Sequence, residues 1–319
     1  MAGSERARPF GLQGPLGTWR PLDRWLAGYG GLCALLLGWG WARGQPALGR
    51  QALLDLAILA AAGAIRHWSR DTIAPGPTFL RLAFVPLCYW TFYHQVQALW
   101  PLFHEAPLDG LLVRLDQGIF HGQPSLALRV AFPFRWLSEL FCFAYFAYYL
   151  FVPVVFLTAL FQRGYAVAER ILVAVTATFF TCYTFFWLFP TVGPHFWFPP
   201  HQGPLPYDGY LFNHLLYALT GRGEIMGGAF PSSHIAVALL LTLHARRAVL
   251  QVWPALAVIT VLLVPAVVYL RAHYAIDVMA GIVVGLGAYA LSRAKDRTGK
   301  LPPRAATCAP TLTSNPSSG

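Results

Sequence analysis

Charged residues are scarce in this chain of 319 residues, of which only 11% are Asp, Glu, Lys or Arg. Soluble domains carry about 25% charged residues, which cover their surface. Hydrophobic residues make up 56% of the sequence, and the mean hydropathy is +0.51. This balance excludes a soluble enzyme, a nucleic-acid-binding domain and a disordered chain. It predicts an all-α, polytopic helical membrane protein, because the apolar runs are long rather than alternating.

The sequence also lacks a cysteine pattern that would bind a metal or form a disulfide framework. Its five cysteines are far apart, and four of them lie inside apolar runs. We interpret them as small apolar core residues. The N-terminal stretch is polar and rich in arginine and does not resemble a signal peptide, so we expect the first apolar run to remain as an anchor.

Long apolar runs predict about eight transmembrane helices, since a spanning helix needs about 20 apolar residues. The second run is short and contains Asp55, and the sixth is also short. The predicted spans lie near residues 25–41, 52–65, 79–100, 136–161, 168–189, 233–245, 252–270 and 274–291.

The distribution of positive charge predicts the orientation in the membrane. With the N-terminus in the cytoplasm, 16 of the 23 Lys and Arg residues fall in cytoplasmic segments and seven in outer segments. Cytoplasmic loops of membrane proteins are enriched in Lys and Arg. We therefore expect both termini in the cytoplasm, an even number of spans and a bacterial inner (plasma) membrane location. This topology, and not a nucleic-acid partner, explains the net charge of +10.

The first candidate functional residue is His234, in the stretch GGAFPSSH (227–234) that opens the sixth span. Pro231 suits the first position of a helix, where its missing N–H costs nothing. Ser232, Ser233 and His234 would then expose first-turn N–H groups toward the outer water. A helix N-terminus of this kind binds anions readily.

The second candidate is His273, in the stretch YLRAHYAID (269–277) at the start of the eighth span. His273 and Asp277 are four residues apart and therefore share one face of a helix. The carboxylate can hold one ring nitrogen and leave the other free to react. Arg271 adds a guanidinium that can donate two hydrogen bonds to phosphate oxygens.

His234 begins the sixth predicted span and His273 begins the eighth, so both lie at the same face of the membrane. The charge distribution makes this the outer face. Two histidines, a carboxylate and an arginine around two helix N-termini indicate phosphoryl transfer, in which one histidine attacks phosphorus and the other protonates the leaving oxygen. Two histidines and one aspartate could also bind zinc. Arg271 would repel a cation, so we rank a metal below phosphate. Either histidine alone would be better explained as a helix cap, but the pair together with Asp277 and Arg271 is not.

At these residues the sequence resembles the type 2 phosphatidic acid phosphatase superfamily. GGAFPSSH looks like its second motif and HYAIDVMAG (273–281) like its third. The resemblance covers about residues 79–291 and implies a six-helix core. It implies that His273 is the nucleophile that forms a phosphohistidine, that Asp277 is its partner and that His234 is the general acid. It also implies that no metal or other cofactor is needed.

The sequence departs from the common lipid phosphatases of that superfamily in two places. Their first motif begins with a lysine, but the only lysines here are Lys295 and Lys300, in the tail. Their third motif has its arginine six residues before the histidine, where this chain has Val267. The arginine of this chain is Arg271 instead.

This pattern is closer to the inositol phosphorylceramide synthase and sphingomyelin synthase branch, and DQGIFHGQPS (116–125) also looks like that branch. The resemblance implies that the tripeptide GPH at 193–195 replaces a GPR-like element, which adds His195 and Arg222 to the phosphate contacts. The candidate phosphate-binding residues are Ser232, Ser233, Arg271, Arg222 and His195.

The chain is expected to divide into three regions. Residues 1–70 hold a cytoplasmic segment and two extra transmembrane helices, residues 71–293 the six-helix catalytic core, and residues 294–319 a disordered cytoplasmic tail. Residues 108–134 have apolar side chains at helical spacing, which predicts an amphipathic segment in the outer interface. Residues 190–230 form a long loop rich in Gly, Pro and aromatic residues, and long loops are usually functional.

The sequence therefore predicts a membrane enzyme that moves the phosphoryl group or phospho-headgroup of a lipid through a histidine intermediate. The branch resemblance favours a lipid phosphotransferase, with a membrane phospholipid as donor and a lipid or polyol alcohol as acceptor. Hydrolysis of a lipid phosphate, such as phosphatidic acid or a polyprenyl phosphate, is the alternative. A non-catalytic lipid transporter is more remote, because transporters place polar groups at mid-membrane and the polar groups here lie at span ends.

Overall fold

The computed structural model describes residues 19–70, 75–198, 209–220 and 226–298. These residues form α-helices joined by turns, with one isolated bridge between Thr191 and Gly228 and no strand in the described ranges. The all-α class is therefore confirmed. The helices are α1 Pro21–Ala42, α2 Pro46–Arg70, α3 Pro75–Leu99, α4 Asp109–Phe120, α5 Pro124–Ala131, α6 Arg135–Tyr148, α7 Phe151–Arg163, α8 Tyr165–Leu188, α9 Pro194–Trp197, α10 Leu211–Thr220, α11 Ser233–Ala248, α12 Trp253–Tyr269 and α13 Ala275–Thr298.

Each predicted span coincides with a helix or, for the fourth, with a pair of helices. Among the described residues, three helical segments are long and apolar enough to cross a membrane by themselves: Pro46–Ser69, Tyr165–Leu188 and Ala275–Ala294. A fourth is added if α6 and α7, which are bent by 47°, form one broken span. These helices confirm a polytopic membrane protein, while the number of eight spans stays a prediction.

The break between α6 and α7 has a local cause. Pro153, in the first turn of α7, has no N–H to donate to the carbonyl group of Tyr149, and its ring crowds that carbonyl. The chain therefore bends where the sequence analysis predicted one continuous span at 136–161. The bend places tyrosines of the α6 end in the interior of the bundle, where Tyr145 and Tyr148 are buried.

Ion pairs join three helices at one end of the bundle. Arg20, just before α1, donates to Glu169 near the start of α8 at 2.6 Å. Arg81, near the start of α3, pairs with Asp23 in the first turn of α1. The starts of these three helices lie side by side, as expected for helices that cross in the same direction. The other end of α8 leads to Thr191, whose carbonyl group accepts a hydrogen bond from the N–H of Ala229 at 3.1 Å.

The charge inside the second predicted span has a partner within the bundle. Asp55 is fully buried, and the side-chain amide of Gln95 on α3 donates to its Oδ1 at 2.7 Å. The neighbouring Leu53, Leu54 and Leu56 are exposed, as expected for a lipid-facing surface. Helix α2 is longer than the predicted range 52–65 and extends from Pro46 to Arg70.

The predicted amphipathic segment consists of helices α4 and α5. Leu111, Leu115 and Ile119 of α4 are exposed, whereas Asp109 and Asp116 are fully buried. The carboxylates of α4 thus face the protein and its apolar residues face outward. This arrangement suits a helix at a lipid interface and would be unfavourable for a helix in water.

The long loop after α8 contains helices α9 and α10. Glu139 of α6 binds the start of α10, because its carboxylate accepts hydrogen bonds from the N–H groups of Tyr210 at 2.8 Å and Asn213 at 3.2 Å. Residues 199–208 and 221–225, and with them the candidate Arg222, lie outside the described residues.

Helix α13 continues to Thr298, so the predicted tail does not begin at residue 294. Residues 299–319 lie outside the described residues. Four cysteines, Cys33, Cys88, Cys142 and Cys182, are free and buried, in agreement with their interpretation as core residues. Cys308 is outside the described part of the chain.

Candidate active site

Helix α11 begins with a serine cap. Ser232 is the N-cap residue, and its Oγ accepts a hydrogen bond from the N–H of Ile235 at 3.4 Å. Pro231 therefore precedes the cap, and the prediction that it is the first helical residue is wrong. Serine is preferred over proline at this boundary because its hydroxyl satisfies a first-turn N–H. The N–H groups of Ser233 and His234 come next in the first turn and have no acceptor within the helix.

The turn between α12 and α13 carries Arg271 and His273. The N–H groups of Ala272 and His273 both donate to the carbonyl oxygen of Val267, at 3.0 and 3.1 Å, and close the end of α12. Arg271 adopts a left-handed conformation with φ 61°, which costs a non-glycine residue about 1–3 kcal/mol. Its carbonyl oxygen accepts from the N–H of His195 at 2.9 Å, so contacts on the far side of the turn hold this conformation.

The two candidate histidines face each other. Nδ1 of His234 lies 3.2 Å from Nε2 of His273. Nδ1 of His273 lies 2.8 Å from the carbonyl oxygen of Ala229 and 3.4 Å from Oδ2 of Asp277. Both of these neighbours accept hydrogen bonds, so we assign the proton of His273 to Nδ1. Nε2 then carries the lone pair, and it points toward His234.

Asp277 links α13 to the start of α11. Its Oδ2 accepts from the N–H of Tyr274 at 2.8 Å, and its carbonyl oxygen accepts from the N–H of Ser232 at 3.1 Å. Its Oδ1 has no hydrogen-bond partner among the described residues. Asp277 therefore shares the Nδ1 proton of His273 with Ala229, which the sequence analysis did not anticipate because a backbone carbonyl leaves no signature in a sequence.

Tyrosine rings surround His234. The ring centroids of Tyr145 and Tyr148 lie 4.7 and 4.8 Å from that of His234, and the centroid of Tyr149 lies at 6.3 Å. All three come from the end of α6, where the span is broken. Sequence reasoning missed them, because their proximity to His234 depends on how α6 packs against α11.

Arg271 is almost completely buried beside the site. Its Nη2 donates to the carbonyl oxygens of Pro194 and Phe198, at 3.2 and 3.1 Å. Its Nε has no partner within the described residues. Pro194 and Phe198 therefore hold the guanidinium in place, and its Nε donor is left without a partner among the described residues.

His195 lies next to Arg271 in the structure. Burial, and secondly the charge of Arg271, lower the pKa of His195 below its usual value. A neutral ring at pH 7 can donate a hydrogen bond to a phosphate oxygen but adds no positive charge. Among the candidate phosphate contacts, the structure brings Ser232, Ser233, Arg271 and His195 to this end of the bundle.

Two further carboxylates reach the site from α4. Asp109 accepts hydrogen bonds from the hydroxyl of Tyr274 and from two backbone N–H groups. Asp116 accepts from the N–H groups of Ala275 and Ile276, at 3.1 and 3.0 Å. The N-terminus of α13 is therefore already capped by a carboxylate of the protein. A spacing of seven residues on an amphipathic helix was the only sequence signal for this pair.

The arrangement combines a ring nitrogen that carries a lone pair, a second imidazole within hydrogen-bonding distance of it, a guanidinium, and the N–H groups of Ser233 and His234, which have no acceptor within their helix. Within the described ranges, no group of three or more His, Cys, Asp or Glu residues is placed to hold a metal ion. A negatively charged phosphoryl group suits the donors that are present.

A protein-family model described as the PAP2 superfamily matches residues 111–291, which is more than half of the chain. The matched range includes His234, His273 and Asp277 and leaves helices α1 to α3 outside. No curated protein and no solved structure matches the chain.

Proposed function

The chain belongs to the PAP2 superfamily, and from this premise we propose that it is a lipid phosphotransferase that works through a phosphohistidine on His273. The observation that carries the proposal is the contact between Nε2 of His273 and Nδ1 of His234 at 3.2 Å. It pairs a free ring nitrogen with a proton donor, which is the arrangement that nucleophilic displacement requires.

In the first step, Nε2 of His273 attacks phosphorus and the bond from phosphorus to the leaving oxygen breaks. A separation of 3.2 Å between these two nitrogen atoms is a hydrogen-bond distance and leaves no space for a phosphorus atom between them. The substrate must therefore replace this hydrogen bond. His234 acts in its imidazolium form, which the negative charge of the bound substrate favours, so the transfer of its Nδ1 proton to the leaving oxygen leaves a neutral ring. Asp277 and the carbonyl oxygen of Ala229 stabilise the positive charge that develops on His273.

In the second step, an oxygen nucleophile attacks phosphorus, the bond between phosphorus and Nε2 of His273 breaks, and the nucleophile gives its proton to Nδ1 of His234. His273 and His234 return to their starting protonation states. The N–H groups of Ser233 and His234, with the guanidinium of Arg271, would hold the phosphoryl oxygens in both steps. These three groups lie at the same end of the bundle as the two histidines.

Whether an alcohol or water resolves the intermediate decides between two activities. The resemblance of YLRAHYAID to the inositol phosphorylceramide synthase branch favours an alcohol. The buried tyrosines around His234 support the same choice, because they reduce the access of water. Hydrolysis of phosphatidic acid or a polyprenyl phosphate is the second candidate, since the histidine chemistry of its first step is the same.

The test gives purified protein a phospholipid donor, with and without a lipid or polyol alcohol, and measures inorganic phosphate against new phosphodiester and diacylglycerol. Phosphatidic acid and a diester donor are supplied separately. We expect diester cleavage that depends on the alcohol and is lost in His273→Ala. His244→Ala is the matched control, because His244 lies near the other end of α11 and contacts Ser292.

Phosphate release from phosphatidic acid without diester cleavage would identify a phosphatase and contradict the transferase assignment. Equal activity of His273→Ala and the wild type would contradict the histidine mechanism itself.

A further inference from the structure

Helix α4 contacts the segment that carries the proposed nucleophile through Asp109. One carboxylate oxygen of Asp109 accepts from the hydroxyl of Tyr274 and from the N–H of Gly193, both at 2.9 Å. The other oxygen accepts from the N–H of Val192 at 2.8 Å. Asp109 and Tyr274 are both fully buried. This carboxylate therefore joins the loop after α8 to the residue that directly follows His273.

Asp116 contacts the next two residues of the same segment. Its Oδ2 accepts from the N–H of Ala275 at 3.1 Å and its Oδ1 from the N–H of Ile276 at 3.0 Å. A carboxylate at a helix start is stabilised by the free N–H groups and by the helix dipole. Here the carboxylate comes from a different helix, so the cap also fixes the position of α13 relative to α4.

Together, the two carboxylates hold every residue between His273 and Asp277. Tyr274 is held through its hydroxyl, and Ala275 and Ile276 through their backbone N–H groups. The distance and angle between an imidazole and its carboxylate partner depend on these three intervening residues. A shift of α4 would therefore change the geometry of the proposed nucleophile without touching the nucleophile itself.

Burying Asp109 and Asp116 costs free energy, which indicates that their buried position has a role in the protein. Burial raises the pKa of both Asp109 and Asp116 above the usual value for a carboxyl group, although their hydrogen bonds oppose the shift. Exposed Leu111, Leu115 and Ile119 occupy the outer face of the same helix. These side chains suit insertion in the lipid interface. Insertion would anchor α4 on its outer face, while its inner face holds residues 274–276.

We infer that α4 is a brace for the nucleophile and that Asp109 and Asp116 are positioning residues of the phosphoryl-transfer site. This inference rests on the proposed function, and it adds to that function two residues that contact neither phosphate nor the reacting atoms. The brace sets the geometry of His273 and Asp277 through residues 274–276.

The activity test compares Asp109→Asn, Asp116→Asn and Tyr274→Phe with the wild type. Each change keeps the side-chain shape and removes or weakens hydrogen bonds of the brace. We expect kcat to fall about 10- to 100-fold with little change in KM, because a small misplacement of a reacting group slows chemistry more than binding. Glu105→Gln, which removes an exposed carboxylate four residues before Asp109, is the matched control and should keep the wild-type kcat.

Two comparisons separate positioning from plain stabilisation. Asp109→Asn and Tyr274→Phe break the same hydrogen bond, so the double variant should lose little more activity than the more affected single variant. If the variants lower only the melting temperature, and kcat per folded molecule equals that of the wild type, the inference is overturned. Tyr274→Phe removes one oxygen only, so it keeps the test decisive if an aspartate variant fails to fold.

A readout without substrate distinguishes this inference from the proposed function. The rate at which diethyl pyrocarbonate modifies His273, followed by peptide mass spectrometry, depends on the exposure and hydrogen bonding of its ring. We expect this rate to change severalfold in Asp109→Asn and Asp116→Asn and to stay unchanged in Glu105→Gln. If the wild type shows no turnover but the modification rate of His273 changes in the aspartate variants, the proposed function is contradicted and the brace is supported. If the modification rate is unchanged in both aspartate variants, the brace is contradicted.

Discussion

At the scale of single residues, the chemistry depends on which ring nitrogen faces which partner. Nδ1 of His273 is held by two acceptors, Ala229 and Asp277, and this leaves Nε2 toward His234. Ala229 and Asp277 therefore select the tautomer that the proposed mechanism requires. The side chain of Arg271 is likewise oriented by the carbonyl oxygens of Pro194 and Phe198.

This geometry predicts different losses for the two histidines. His273→Ala and Asp277→Ala should remove activity on every substrate, because nucleophile and partner act as a unit. His234→Ala should lose about 10²- to 10⁴-fold on a lipid substrate but retain activity on a nitrophenyl phosphate, whose leaving group needs no proton. Steady-state rates on both substrates check this. A His234→Ala variant that is equally inactive on the nitrophenyl ester would show that His234 is not the acid.

At the scale of elements, the site depends on the close approach of α11 and α13. A Cβ atom on Gly281 would lie 2.6 Å from the carbonyl oxygen of Ser232, and one on Gly285 would lie 2.6 Å from that of Ala236. The two glycines lie four residues apart on one face of α13. They allow the helix that carries Asp277 to pack against the helix that carries His234.

An alanine at Gly285 should therefore push the two helices apart. We expect Gly285→Ala to destabilise the protein by about 1–3 kcal/mol, as overpacking usually does, and to reduce activity because His234 and His273 separate. Thermal unfolding and steady-state rates measure both effects. Gly287→Ala is the matched control, since its Cβ would meet no atom within 4 Å and alanine favours a helix by about 0.5–1 kcal/mol. Equal melting temperatures for the two variants would contradict this account of the packing.

At the scale of the whole molecule, the bundle has two different ends. One end holds the ion pairs of Arg20 with Glu169 and of Arg81 with Asp23. The other end holds the paired histidines, the caps from α4 and the α9–α10 region. The orientation of these ends relative to the membrane still rests on the excess of Lys and Arg in the predicted cytoplasmic segments.

Thiol labelling tests this orientation. Met226 is exposed at the histidine end, so Met226→Cys in a Cys308→Ser background should react with an impermeant thiol reagent added from outside. The wild type supplies the converse control, because Cys308 should react only after the cytoplasmic side is opened. The other four cysteines are buried and should stay silent. Labelling of Met226→Cys only after opening would invert the topology.

The sequence alone determined the fold class and the position of the long helices, and it singled out the two histidines that the structure brings together. Hydrophobic run length decides whether a segment crosses a membrane, so these properties can be read locally. The motifs around His234 and His273 were also local, and the match to the PAP2 superfamily over residues 111–291 confirms the superfamily that they resemble.

Only the tertiary structure decided which groups surround those motifs. The caps from Asp109 and Asp116, the tyrosines around His234 and the carbonyl group of Ala229 come from segments far apart in the chain or from the backbone itself. A carboxylate on an amphipathic helix looks solvent-exposed in a sequence, and only the structure shows that Asp116 is buried and hydrogen-bonded to α13. Packing between helices decides which of these groups become partners. The local sequence of a segment does not show how its helix packs against the others.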